Sequence, residues 1–281
     1  MPMADAPHIA FIGGGNMARS LIGARLREGA DPRTIRVAEP NADLRGRLAA
    51  DFGVTVFERG VDAADGAGIV VLAVKPQVLR EVCRELAPTV QAIRPLVISI
   101  AAGIRIAQIE DWLGGGLAIV RTMPNTPALI GAGATGLHAN AATGEQARSA
   151  AEAVLASAGA TAWIADEALM DVVTALSGSG PAYFFLLIEA LEDAAVAAGL
   201  PRAIARTLAV QTGVGATRMA AEDGEPPARL RERVTSPGGT TEAALDAFAA
   251  GGLRALVAGA VEAATRRGRE LSDRFDAEDK A

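Results

Sequence analysis

The sequence has one cysteine, Cys83, which rules out an internal disulfide. A chain built this way suits a reducing compartment, and a cytoplasmic location is expected. There are only two histidines, His8 and His138, so obvious acid–base side chains are scarce. His8 precedes the first apolar run and is expected to be exposed; His138 is a minor candidate for the chemistry. There is no basic excess: 27 lysines and arginines face 33 acidic residues, for a net charge of −6. Nucleic-acid binding normally needs a basic patch, so that class of partner is not expected. Nor is there a run of roughly 20 apolar residues clear of charge, as a membrane span requires. The greasiest stretch, residues 183–200, carries Glu189, Glu192 and Asp193, and reads as a buried helix. The opening Met-Pro-Met-Ala-Asp-Ala-Pro has no basic segment of the kind that begins a signal peptide. A soluble protein without a membrane segment is expected. Aromatics make up 4% of the chain while hydrophobic residues make up 50%, so alanine and glycine supply much of the core. Such small side chains let helices pack closely on a sheet or on one another.

At 281 residues the chain is long enough for two domains. The first half alternates two periodicities. Ile-Ala-Phe-Ile follows His8 and breaks at Gly13-Gly-Gly15, and a helical pattern then runs from Asn16 to about Glu28. Residues 36–38 form a second short strand and residues 41–52 a second helix. Residues 68–74 (Gly-Ile-Val-Val-Leu-Ala-Val) and 96–102 are near-continuous apolar runs, as expected of parallel strands covered on both faces. Residues 117–121 are a further strand candidate. Strands separated by helices imply right-handed crossovers and a doubly wound α/β sheet. Strand signals vanish from about Glu167, and the rest reads as helices punctuated by Ser, Gly and Pro clusters. The expected division is a dinucleotide-binding domain over 1–165 and an all-helical domain over 166–281. The last charged residues are expected to fray.

Gly13, Gly15 and Ala18 match G-x-G-x-x-[G/A] directly after a strand and at the start of a helix. That context points to a dinucleotide, because N–H groups at a helix N-terminus, aided by its dipole, receive a pyrophosphate. Glu39, at the end of the second strand, stands where an acidic side chain accepts hydrogen bonds from ribose hydroxyls. Its charge would repel the additional phosphate of NADPH, and the nearby Arg45 and Arg47 would offset part of that. NADH is expected to be accepted, alongside NADPH. Lys75 follows the third long apolar run, at the strand edge that carries ligands in open α/β sheets. It is either a catalytic or cofactor-contacting group or a solvated lysine before Pro76.

Two clusters in the helical half each place small and hydroxyl residues before an apolar run: residues 177–183 (Ser-Gly-Ser-Gly-Pro-Ala-Tyr) and 236–241 (Ser-Pro-Gly-Gly-Thr-Thr). Both have the composition of an ordinary helix N-cap. The second also has consecutive glycines entering a helix, an arrangement that presents several N–H groups to a small carboxylate.

Taken together, these stretches closely resemble those of the pyrroline-5-carboxylate reductase family. The shared segments are 11–17 (Phe-Ile-Gly-Gly-Gly-Asn-Met), 73–76 (Ala-Val-Lys-Pro), 99–103 (Ser-Ile-Ala-Ala-Gly), 123–127 (Met-Pro-Asn-Thr-Pro), 177–183 and 236–241. They occur in the family's order along nearly the whole chain, and the last two are the most specific. The resemblance implies hydride transfer from NADH or NADPH to 1-pyrroline-5-carboxylate, giving L-proline. It places Gly13, Gly15, Asn16, Met17, Glu39 and Asn125 at the cofactor. Ala73, Val74, Lys75 and Ala102 would line the nicotinamide. Ser177, Ser236, Gly238, Gly239, Thr240 and Thr241 would meet the substrate, with Thr241 and Lys75 nearest the chemistry. It further implies a helical domain that interlocks with a partner copy, giving dimers and, in many members, decamers. No metal is implied. Glu39 departs from the serine-like phosphate partner of NADP-preferring members, which puts an NADPH preference in doubt.

Rival readings are weaker. A two-domain hydroxyacid dehydrogenase needs a catalytic lysine in the helical domain, yet there is none between Glu167 and Ala264; besides Lys75 the only lysine is Lys280, in the tail. A ketol-acid reductoisomerase needs a magnesium-binding carboxylate cluster. Glu189, Glu192 and Asp193 have suitable spacing but read better as the polar edge of a helix. A nucleotide-sensing module would leave the 236–241 loop without a purpose.

Overall fold

The computed structural model describes residues 8–280, with side chains through Phe275. The first seven residues, on which the leader expectation falls, lie outside the described residues. So do Ala281 and the side chains of 276–280, on which the fraying expectation falls. Helices and strands alternate through residue 163: β1 (Ile9–Ile12), α1 (Asn16–Arg27), β2 (Ile35–Ala38), α2 (Ala42–Phe52), β3 (Thr55–Phe57), α3 (Gly60–Ala64), β4 (Ile69–Leu72), α4 (Pro76–Ile93), β5 (Leu96–Ser99), α5 (Ile106–Leu113), β6 (Ile119–Met123), β7 (Gly133–Ala139), α6 (Glu145–Ala156) and β8 (Gly159–Trp163). The remainder is helical. α7 (Met170–Val173) passes into a π-helical turn, Thr174–Gly178. Then follow α8 (Gly180–Ala197), α9 (Arg202–Glu222), α10 (Pro227–Arg233), α11 (Thr240–Ala250) and α12 (Leu253–Lys280). The chain forms two compact units. The first extends through Ser179 and takes back the chain from Ala264 onward, and the second is Gly180–Ala263.

The first unit is a sheet in the order β3-β2-β1-β4-β5-β6-β7-β8. Strands β1 to β6 are mutually parallel, as expected of a doubly wound sheet. β7 then runs antiparallel to β6, and β8 parallel to β7. Strands β3, β7 and β8 add to the strands legible in the sequence. Successive side chains of a strand point to opposite faces, and β1 feeds two cores accordingly. Ile9 and Phe11 pack with Leu21 and Ile22 of α1. Ala10 and Ile12 pack with Leu79, Cys83 and Leu86 of α4. Covered on both faces, the central strands lack polar alternation.

An ion-pair cluster that sequence patterning did not reveal ties β6 to the segment before α8. Arg121, nearly fully buried on β6, meets Glu167 at 3.0 Å and Asp171 at 3.7 Å. A buried guanidinium needs such partners, because an uncompensated charge there is strongly destabilising.

In the second unit α8 packs on α9. The expectation that residues 183–200 are buried is not met within one chain: Phe184 is 57% exposed, and Phe185 and Leu186 are each 65% exposed. The continuous helical run Glu167–Ala197 is also long and apolar enough, by length and composition, to cross a membrane. Arg202 engages Glu192 at 2.8 Å and Asp193 at 2.9 Å, so those carboxylates sit in ion pairs.

Candidate active site

The strand order reverses between β1 and β4, and in open α/β sheets the ligand crevice lies at the C-terminal strand ends beside that switch. Gly13, Glu39, Ala73, Ala102 and Asn125 all follow such ends, those of β1, β2, β4, β5 and β6. The turn after β1 is built by backbone contacts. Gly13 has φ +104°, and a Cβ there would stand 2.7 Å from the Ala73 carbonyl oxygen. Only glycine meets both demands without strain. The Gly13 N–H donates to the Ala38 carbonyl (2.9 Å) and the Ala73 N–H to the Ile12 carbonyl (2.8 Å). Three neighbouring strand ends are thereby tied together.

Gly15 is the N-cap of α1 and offers no side-chain cap to the first turn. A Cβ at Gly15 would meet nothing within 4 Å. Asn16 is exposed and Met17 half-buried beside it. An uncapped helix start with open space above it fits a dinucleotide pyrophosphate, since its N–H groups have no intrahelical partners and the helix dipole favours an anion.

The Glu39 carboxylate leans over this turn. Its Oε2 accepts from the Gly14 N–H (3.2 Å) and its Oε1 from the Asn41 N–H (3.0 Å). Each oxygen keeps a lone pair for a further donor. Arg45 donates from Nη1 to the Glu39 and Pro40 carbonyls (2.7 and 2.9 Å). Its Nη2 lies 3.8 Å from Glu58. Arg45 is therefore bound into the loop, while Arg47 is exposed on α2.

Ala73 and Val74 are half-buried at the end of β4, and Lys75 is exposed at the N-cap of α4, with Pro76 in its first turn. Ala102 is exposed after β5. Asn125, expected at the cofactor, follows β6. It is buried, and both ends of its carboxamide are engaged within the protein. Nδ2 donates to the Ser177 carbonyl (2.9 Å) and Oδ1 accepts from the Ala134 N–H (2.9 Å). His138 Nδ1 is 2.8 Å from the Ile164 carbonyl, a bond that joins β7 to the segment after β8. His8, expected to be exposed, is half-buried.

Neither hydroxyl cluster is an ordinary N-cap. Residues 174–178 continue α7 as a π-helical turn, and the Ser177 hydroxyl donates back to the Val173 carbonyl (3.0 Å) rather than forward to a helix start. At 236–241 the N-cap is Gly239, without a side-chain cap. Two of the amides expected to receive a carboxylate already have acceptors. Gly238 N–H donates to Glu242 Oε2 (2.6 Å) and Gly239 N–H to the Ser236 carbonyl (3.0 Å). Glu242 stands at the third helical position, the spacing at which a glutamate reaches back over a helix start. That spacing is readable in the sequence and was the available signal. Ser236 and Thr240 are exposed and Thr241 is half-buried at this entry.

Comparison with known proteins agrees with both units. Residues 8–103 match the family described as NADP oxidoreductase, coenzyme F420-dependent. Residues 167–271 match the family described as pyrroline-5-carboxylate reductase dimerisation. A pyrroline-5-carboxylate reductase of Pseudomonas aeruginosa is 48% identical over 273 residues, spanning 96% of this chain and 99% of that protein. The structure of a pyrroline-5-carboxylate reductase from Coxiella burnetii superposes with a TM-score of 0.93 at 42% identity, over 95% of this chain and 99% of that one. That of the Plasmodium falciparum pyrroline carboxylate reductase, solved with NADP bound, gives 0.83 at 29% identity, over 96% and 100%. With identity of this extent running through both units, this chain belongs to the pyrroline-5-carboxylate reductase family.

Proposed function

We propose that this protein reduces 1-pyrroline-5-carboxylate to L-proline, the last step of proline biosynthesis, using NADH or NADPH. The observation that carries this reading is the 48% identity to the Pseudomonas aeruginosa enzyme along 96% of the chain. Residues 1–165 serve the nucleotide, and residues 166–281 serve substrate binding and dimerisation. When bound, the reduced nicotinamide supplies the hydride that adds to C5 of the ring. The chain's own residues bind and orient. The α1 start at Gly13, Gly15, Asn16 and Met17 holds the pyrophosphate, and Glu39 accepts from the ribose hydroxyls. Ala73, Val74, Lys75 and Ala102 flank the nicotinamide.

The entry to α11 receives the substrate carboxylate, with Ser236, Gly238, Gly239 and Thr240 around it. Glu242 leaves the Gly238 N–H as the substrate arrives. The Thr241 hydroxyl orients the ring nitrogen, and Ser177 supports the substrate side. A ring nitrogen that enters protonated needs no strong acid from the protein, which matches the scarcity of histidine and lysine. Orientation alone can be worth roughly 7–11 kcal/mol of a barrier.

The exposed apolar face of α8 is covered by a second copy of this chain. The dimerisation family matched over residues 167–271 supports a dimer, and the resemblance to the reductase family extends this to decamers built from dimers. Glu189, Glu192 and Asp193 along that helix favour a protein partner over lipid, consistent with a cytoplasmic enzyme. The test is steady-state oxidation of NADH and NADPH with pyrroline-5-carboxylate, followed by absorbance, with light scattering on the same sample. Turnover by a dimer or larger assembly is expected. Protein that binds nucleotide without turnover would support a sensing module instead, and a monodisperse monomer would refute the covered α8 face.

A further inference from the structure

Two segments far apart in sequence, 123–127 and 174–178, are joined by one side chain. In a helix the Ser177 carbonyl would accept from the N–H four residues on, which is residue 181. That residue is proline and has no N–H to give. The turn here is π-helical, with the Ser179 N–H reaching back to the Thr174 carbonyl (2.8 Å). Single π turns inside helices recur at functional sites, and the Ser177 carbonyl in this one lacks the residue-181 donor. Asn125 supplies one: Nδ2 donates to the Ser177 carbonyl while Oδ1 accepts from the Ala134 N–H at the start of β7, each at 2.9 Å. The two partners fix which way the carboxamide faces, since a carbonyl demands the NH2 and an N–H demands the oxygen. Asn125 is 8% exposed, so these bonds are shielded from water. The contact is close throughout: a Cβ on Gly178 would stand 2.5 Å from Met123 Cε.

We propose that Asn125 is a positioning residue for the substrate side of the reaction rather than a cofactor ligand. It holds the π turn in register with the end of β6 by replacing the donor that Pro181 removes. The inference rests on reading Ser177 as a substrate-side residue. The experiment compares Asn125→Ala and Asn125→Asp with the unaltered full-length enzyme, by steady-state kinetics and by fluorescence titration with NADH. Both variants are expected to lower kcat/KM for pyrroline-5-carboxylate by about tenfold or more, the scale of one buried hydrogen bond. The Kd for NADH should stay within about twofold in both. A raised Kd with unchanged pyrroline-5-carboxylate parameters would return Asn125 to the nucleotide. A lowered Tm with unchanged kinetics would leave it a packing role alone. Either result overturns the proposal.

Rescue is the sharper readout. Pro181→Ala restores an N–H four residues after Ser177, so Asn125→Ala should cost less in that background; an undiminished loss counts against the proposal. Amide hydrogen exchange separates the two arms without relying on activity. Exchange at Ala134 should quicken in Asn125→Ala and stay slow in Asn125→Asp, which keeps the acceptor. If the unaltered enzyme does not turn over pyrroline-5-carboxylate, the reductase reading falls, while unchanged Ala134 exchange in Asn125→Ala would sink the bridge itself.

Discussion

Gly15→Ala separates what the fold needs from what the nucleotide needs. Gly15 sits at φ −67° and ψ −178°, extended backbone that alanine adopts freely. The added methyl meets nothing within 4 Å. Its cost to folding is that of alanine at an N-cap, about 1 kcal/mol or less, and a domain of this size loses roughly 2–4 °C in Tm per kcal/mol. The methyl does, however, project into the space above the uncapped start of α1. If a pyrophosphate lies there, Kd for NADH should rise at least about tenfold, which is 1.4 kcal/mol. Gly13→Ala gives the opposite signature. Its φ of +104° costs about 1–3 kcal/mol in an alanine. A Cβ 2.7 Å from the Ala73 oxygen adds an overpacking cost of about 1–3 kcal/mol. Tm should therefore fall by roughly 4 °C or more. The assay is thermal melting of both variants without nucleotide, followed by fluorescence titration with NADH. Wild-type NADH affinity in Gly15→Ala would refute the placement of the phosphates. Equal melting losses in the two variants would refute the geometric argument that distinguishes them.

Other outcomes follow from the same geometry. Thr241→Ala should lower kcat about tenfold or more through loss of one oriented hydrogen bond, and unchanged turnover would remove Thr241 from the chemistry. Glu39→Ser tests the proposed ribose contact by removing the carboxylate beside the Gly14 N–H. The ratio of kcat/KM for NADPH over NADH should then rise by about tenfold, and an unmoved ratio would mean that Glu39 does not read the 2′ position. Cys83 is buried on the sheet-facing side of α4, and burial alone pushes its thiol up to about 12 from 9.0. At pH 8 Ellman's reagent should label it only after denaturant is added, since the thiolate is the reactive form; prompt native labelling would contradict the packing. The thiol is favoured in the folded state, so its contribution to stability is complete below pH 9 and is lost as pH rises toward 12. Cys83→Ala should flatten that alkaline loss in a pH series of denaturant melts.

Much of the nucleotide half was readable because its determinants are local. Ile-Ala-Phe-Ile running into Gly13 declares a buried strand and a turn within a few residues, and Glu39 follows from chain distance to that turn. β4 and β5 show as apolar runs because burial on both faces leaves no room for alternation. β7 and β8 do not show, since Gly-Ala-Thr-Gly-Leu-His-Ala and Gly-Ala-Thr-Ala-Trp have little strand propensity. Their composition makes sense only in the assembled sheet, where a Cβ on Gly159 would stand 2.1 Å from the Gly133 carbonyl oxygen.

The helical half divides in the same way. Its apolar content marked residues 183–200 for burial, but composition cannot say what does the burying, and one chain leaves Phe184 and Phe185 open. Ser, Gly and Pro at 177–181 have the makings of a cap, and local chemistry alone cannot tell a cap from a π turn. The Ser177 carbonyl in that turn finds its donor in Asn125, some fifty residues earlier in the chain. The same holds at 236–241, where glycine amides that look free in sequence are already taken by Glu242 and by the Ser236 carbonyl. Backbone conformation and apolarity belong to a few consecutive residues and can be read from them. Which donor meets which acceptor depends on segments brought together by folding, and the pattern of any one segment does not contain it.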